Sequence, residues 1–71
     1  MQWISVKEKL PSKQMDVLIS VEAIDEHGKV VERYVDSAIY DPQKDMMDCV
    51  EDNMTYRVAA WMPYPTPYIS S

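Results

Sequence analysis

Three groups in this 71-residue sequence could do chemistry: His27, Cys49, and the carboxylates Asp41, Asp45, Asp48, Glu51 and Asp52. His27 is the only imidazole and so the only ordinary acid–base group near neutral pH. It stands in Asp25-Glu26-His27-Gly28, beside the only glycine, in what reads as a turn. A turn histidine is usually solvated, and that is the reading taken. Cys49 as a nucleophile needs a base and a stabilised thiolate. Its acidic neighbours Asp48 and Glu51 disfavour a thiolate, so an inert thiol is expected. One Cys and one His supply neither a disulfide nor a four-ligand zinc site. The five carboxylates are oxygen donors that suit Ca²⁺ or Mg²⁺. The segment lacks the Asp-x-Asp-x-Asp-Gly loop that wraps an EF-hand ion, so it reads as a solvated acidic loop or a patch for a basic protein surface. The expectation is no enzyme, no catalytic residue, no metal site and no cofactor.

Composition narrows the class. Seven Lys and Arg against twelve Asp and Glu give a formal net charge of -5. That argues against nucleic-acid binding through a general basic surface, because phosphate contacts need clustered cations. Hydrophobic residues make up 46%, the proportion of a folded chain rather than a disordered one. The length allows a single domain, 1–71, with a core too small to hold much stability in reserve. No run of 18 apolar residues exists, so no membrane span is expected. The N-terminus lacks the basic start and apolar stretch of a signal peptide, and the lone thiol suits a reducing compartment. A cytoplasmic setting is the expectation.

The elements that would position these groups are mainly strands. In Met15–Ile24, Val17, Ile19, Val21 and Ala23 alternate with the mixed set Leu18, Ser20, Glu22 and Ile24, which is the period of a strand. Gly28 suits a hairpin loop, since it takes positive φ cheaply. Lys29–Tyr40 reads as a second strand, with a bulge near Asp36 to shift its parity. Residues 41–53 carry two readings. Asp41-Pro42 could cap a helix running through Met46, Met47, Val50 and Met54. Alternatively Pro42 sits in a turn that leads to a short strand, Met46–Val50, which the position between two strands favours. Met54–Met62 is a strand, ended by Pro63. Residues 63–71 form a proline-rich, extended tail. At the other end, Ser5 and Glu8 have capping-box spacing, so the chain before Pro11 is a short extended piece or one helical turn. The predicted architecture is mainly β, with a small α+β variant left open. It is an antiparallel meander of three or four strands, with the N-terminal segment and the tail packed on it.

Both ends carry a recognisable pattern. Trp3-Ile4-Ser5-Val6-Lys7-Glu8-Lys9-Leu10-Pro11 resembles the Trp-Ile-x-Val-x-Asp/Glu-x-Leu-Pro opening of the DUF551 family, small phage-related proteins of unknown function. Val17-Leu18-Ile19 resembles that family's Val-Leu-rich strand, and Trp61-Met62-Pro63-Tyr64-Pro65 its closing Trp-Met-Pro-x-Pro. The family usually has Thr-His before the closing Trp, where this chain has Ala59-Ala60. Any role that needs that imidazole cannot operate here. The resemblance implies a phage or prophage setting and brings no catalytic residues.

The motif residues have a physical reading of their own. Trp3, Ile4, Leu10, Pro11, Val17, Leu18, Trp61, Met62, Pro63 and Pro65 are expected to be a fold signature. In that reading Trp3, Leu10 and Trp61 pack the N-terminal segment on the last strand. The functional expectation is a non-enzymatic phage or prophage accessory protein that binds an unidentified host or phage protein. Its concrete form is an acidic inhibitor of a host nucleic-acid enzyme or defence complex, acting through Asp41, Asp45, Asp48, Glu51 and Asp52. The alternative is a structural or assembly module with no host target. In so small a sheet, a homodimer through an open edge would also help the core.

Overall fold

The computed structural model describes residues 2–44, 49–65 and 67. Among these, five strands form one antiparallel sheet and no helix occurs: β1 (Ile4–Ser5), β2 (Met15–Ile24), β3 (Val30–Tyr40), β4 (Cys49–Glu51) and β5 (Met54–Pro63). The sheet is mainly β and antiparallel, as the sequence predicts. Its order is not that of a meander. β5 lies beside β2, and β2 beside β3, with β1 and β4 on the other side of β5. β1 pairs with Ala60 and Trp61, and β4 with Met54 to Tyr56, so the two short strands share one edge of β5 end to end.

The alternation in β2 sets the two faces. Val17, Val21 and Ala23 are buried. Opposite residues in an antiparallel pair point to the same face. Ile19 faces Trp61 on β5, and Val17 faces Ala38 on β3, so these side chains share the core face. Val17, Tyr40 and Trp61 form its centre, with Ile4, Val6, Met15, Ile19 and Ala38 packed against them. Leu18, Ser20 and Glu22 point to the other face, with Met62, Ala60 and Arg57 from β5 beside them. Of these, Met62 is buried.

Two bulges break the ladders, neither near Asp36. One sits at Val31, since Ala23 pairs with Glu32 and Ile24 with Val30. The other sits at Ala59, since Ser20 pairs with Ala60 and Val21 with Val58. Arg33 and Ser37 look like interruptions in the sequence because they lie on the second face, which this small sheet leaves open. The Ala59 carbonyl accepts the Val6 N–H at 3.2 Å, which ties the N-terminal segment to the bulge.

The N-terminal segment combines both readings: a two-residue strand, then a turn. The Ser5 carbonyl accepts the N–H groups of Glu8 and Lys9, at 3.0 and 3.1 Å. The expected packing of Trp3 and Leu10 needs correction. Trp61 is 5% exposed, but Trp3 is 43% and Leu10 39% exposed. Alternation is the reason. Ile4 faces Trp61 across the β1–β5 pair, which turns its neighbour Trp3 away from the core. Trp61 is held instead by its indole Nε1–H, which donates to the Lys9 carbonyl at 2.8 Å.

The turns follow side-chain chemistry. The Asp25 carboxylate accepts the N–H groups of His27 and Lys29, both at 2.9 Å, and Gly28 takes φ 82°. Asp41 organises the turn after β3 in the same way, accepting the Gln43 N–H at 2.9 Å. Of the short strand expected at Met46–Val50, Cys49 and Val50 lie in β4, Cys49–Glu51; residues 45–48 lie outside the described set. The β4–β5 turn is Asp52-Asn53, with φ of 51° and 64°. Two consecutive positive φ values give the tight two-residue hairpin, a role that Asp and Asn accept more readily than most residues. The helical reading of 41–53 does not apply to β4 or to this turn.

Candidate interaction surface

The carboxylates expected to form one acidic patch are not brought together. Tyr40 pairs with Met15 at the start of β2, so Asp41 lies at that end. Glu51 pairs with Met54, beyond the Tyr56 that faces Ala23, so Glu51 and Asp52 lie at the far end. About 25 Å of strand separates them, at ~3.3 Å per residue from Met15 to Ala23. Glu51 and Asp52 are exposed at the hairpin tip. Asp41 is half-buried and spends its carboxylate on its own turn. Asp45 and Asp48 lie outside the described residues, as does the Cys49 side chain.

His27 is exposed in its turn, 3.6 Å from the Glu26 carboxylate. Among the described residues no three His, Cys, Asp or Glu side chains gather as a metal group would require. No helix there is long and apolar enough to cross a membrane.

The strongest electrostatic feature is on the open face. The Glu22 carboxylate on β2 accepts Arg57 Nη2 from β5 at 2.8 Å and Arg33 Nε from β3 at 3.1 Å. The Arg57 hydrogen bond, then that of Arg33, hold the Glu22 carboxyl below the ordinary carboxylate range. This clamp links the three long strands, and sequence reading missed it because it depends on which strands are neighbours. A group whose folded pKa is lowered stabilises the fold above its unfolded pKa of ~4.3. That stabilisation is lost as pH falls through the lowered folded value. Glu22→Gln should therefore flatten the acid side of the stability curve, read as urea midpoint against pH. A variant as acid-sensitive as the wild type would remove the clamp from the account.

The other distinctive surface is β3. It ends the sheet, and its outer edge pairs with no strand among the described residues. Val31, Val35 and Ile39 are 53%, 59% and 68% exposed, and Tyr34 is also exposed. Ile39 and Tyr64 line a shallow cleft with Asp16, Ser37 and Ala38. Tyr64 is anchored there by its N–H, which donates to the Asp16 carbonyl at 3.3 Å. The tail thus touches the sheet through Tyr64; Tyr68 lies outside the described residues.

Of the motif residues, Val17, Trp61, Met62 and Pro11 are buried, and Ile4 and Leu18 are half-buried. Pro63 and Pro65 are exposed, and Pro63 closes β5 opposite Val17. The opening and closing patterns thus meet in one structural unit, the pairing of β1 with β5 over Trp61. No curated protein and no solved structure matches the chain. The family model for a protein of unknown function, DUF551, matches residues 2–68, which is nearly the whole chain, and the chain belongs to that family.

Proposed function

We propose that this chain is a non-enzymatic, protein-binding accessory protein of a phage or prophage. It works in the host cytoplasm through the β3 edge. The observation that carries the reading is a long, open edge strand with exposed Val31, Val35 and Ile39 along it. Such an edge offers outward N–H and C=O groups for β-augmentation, with flanking apolar side chains to add affinity, although the Asp36 carboxylate already accepts the Ser37 N–H at 2.8 Å. This favours the assembly-module form over the acidic inhibitor. The inhibitor form would have to act through Glu51 and Asp52 at the hairpin tip, without Asp41.

Affinity capture from a bacterial lysate, with nuclease and eluted in steps of rising salt, tests the reading. The baits are the wild type, Val35→Lys, and Glu51→Lys with Asp52→Lys. The expected result is a bound protein, an untagged second copy of this chain added to the lysate included, that resists moderate salt and is lost with Val35→Lys alone. Loss with charge reversal alone, and release by moderate salt, would favour the inhibitor form. Capture unchanged by Val35→Lys would overturn the role of β3.

A further inference from the structure

The two edges of the sheet are built differently. One is broken into β1, of 2 residues, and β4, of 3. Very short edge strands are one way to prevent sheet-to-sheet pairing. The other edge is β3, of 11 residues, with neither lysine nor proline between Val30 and Tyr40. Those two residues are common protections of an open edge; the charges of β3 are Glu32, Arg33 and Asp36, of which Asp36 accepts the Ser37 N–H at 2.8 Å. Only its end near Val31 carries a bulge.

We infer that β3 pairs antiparallel with β3 of a second copy, about a two-fold axis through Val35, so that two sheets become one. This rests on the proposed role of β3 as the binding edge and names what occupies it. Opposite residues in an antiparallel pair must share a face, so the axis passes through a residue rather than between two. The charges then select among centres. A centre at Arg33 sets Arg33 against itself. A centre at Asp36 sets that carboxylate against itself. A centre at Tyr34 sets Asp36 against Glu32. Like charges directly opposite are destabilising. A centre at Ser37 avoids those clashes but runs the pairing, over residues 34–40, up to buried Tyr40 and the Asp41 turn that ends the strand.

The centre at Val35 is the midpoint of β3, and the bulge at Val31 leaves residues 32–38 in regular pairing. It sets Val35 against Val35, Tyr34 against Asp36, Arg33 against Ser37 and Glu32 against Ala38. Ile39 lies just beyond them, beside the bulge at Val31. No like charges stand directly opposite, and the exposed apolar residues of each edge cover one another. The arrangement is isologous, as a closed two-fold dimer requires.

Sedimentation equilibrium and cysteine cross-linking test this. The wild type should sediment at twice the monomer mass, and Val35→Lys at the monomer mass with an unchanged circular dichroism spectrum. In a Cys49→Ser background, Val35→Cys should form a disulfide-linked dimer on mild oxidation. Ser37→Cys should not, because the two copies of residue 37 would lie about 13 Å apart along the strands, at ~3.3 Å per residue. A monomeric wild type at the highest soluble concentration would overturn the inference. So would cross-linking through Ser37→Cys and not Val35→Cys. A monomer whose lysate partner is still lost with Val35→Lys overturns self-pairing alone and leaves the proposed function standing.

Discussion

Trp61→Ala should unfold the protein, or lower its stability by about 3–5 kcal/mol, the usual loss for a buried large aromatic. The side chain is almost wholly buried against Val17 and Tyr40. It also faces Ile4 and Ile19 in the flanking strands, so one truncation opens the core beneath two strand pairs. The indole N–H holds the Lys9 carbonyl, and its loss releases the turn that leads into Pro11. A chain of 71 residues has roughly 4–11 kcal/mol of total stability, at 0.05–0.15 kcal/mol per residue. The loss is therefore a large share of the whole. Trp3→Ala should cost far less, since Trp3 is exposed despite sharing the same motif. Urea denaturation of both variants checks the contrast. Equal losses would contradict the placement of Trp3.

Val17→Asp should be as severe. Val17 is 0% exposed at the centre of the core. An unpaired carboxylate buried there costs several kcal/mol, or stays protonated with a raised pKa. For an acid whose folded pKa is raised, the penalty is greatest at neutral pH and eases as pH falls. The variant should therefore recover part of its structure under mild acid. Leu18→Asp, one residue along and on the opposite, half-buried face, should lose much less. Near-equal loss at 17 and 18 would contradict the assignment of the faces. Thermal melts followed by circular dichroism at two pH values decide it.

How much of this was legible depended on range. The alternation of Val17, Ile19, Val21 and Ala23 marks β2 because burial of one face leaves a local pattern. The partner of β5 leaves no such pattern. β5 pairs with β4 across the hairpin, but its long partner is β2, a place set by packing of Trp61 near residues far away in sequence. The Glu22 clamp follows from that order and was invisible for the same reason. The acidic patch failed similarly. Asp41 and Glu51 lie close in sequence, yet β3 ends at one end of the sheet and β4 begins near the other. Asp52-Asn53 is legible as a turn because both residues tolerate positive φ, a signal that the charge of Asp52 obscures. Size alone points Trp3 to the core, whereas alternation around Ile4 decides its direction.

The central claim is that the outer edge of β3 is the working surface. Amide hydrogen exchange resolved by residue over 30–40 tests it most directly, in dilute and in concentrated protein. In a single edge strand, alternate amides bond to β2 and the rest face outward. The account predicts that the outward set, apart from the Ser37 N–H that the Asp36 carboxylate accepts, exchanges rapidly when dilute and becomes protected when concentrated, while the inward set does not change. Outward amides that exchange rapidly at every concentration, both alone and in lysate, would contradict it.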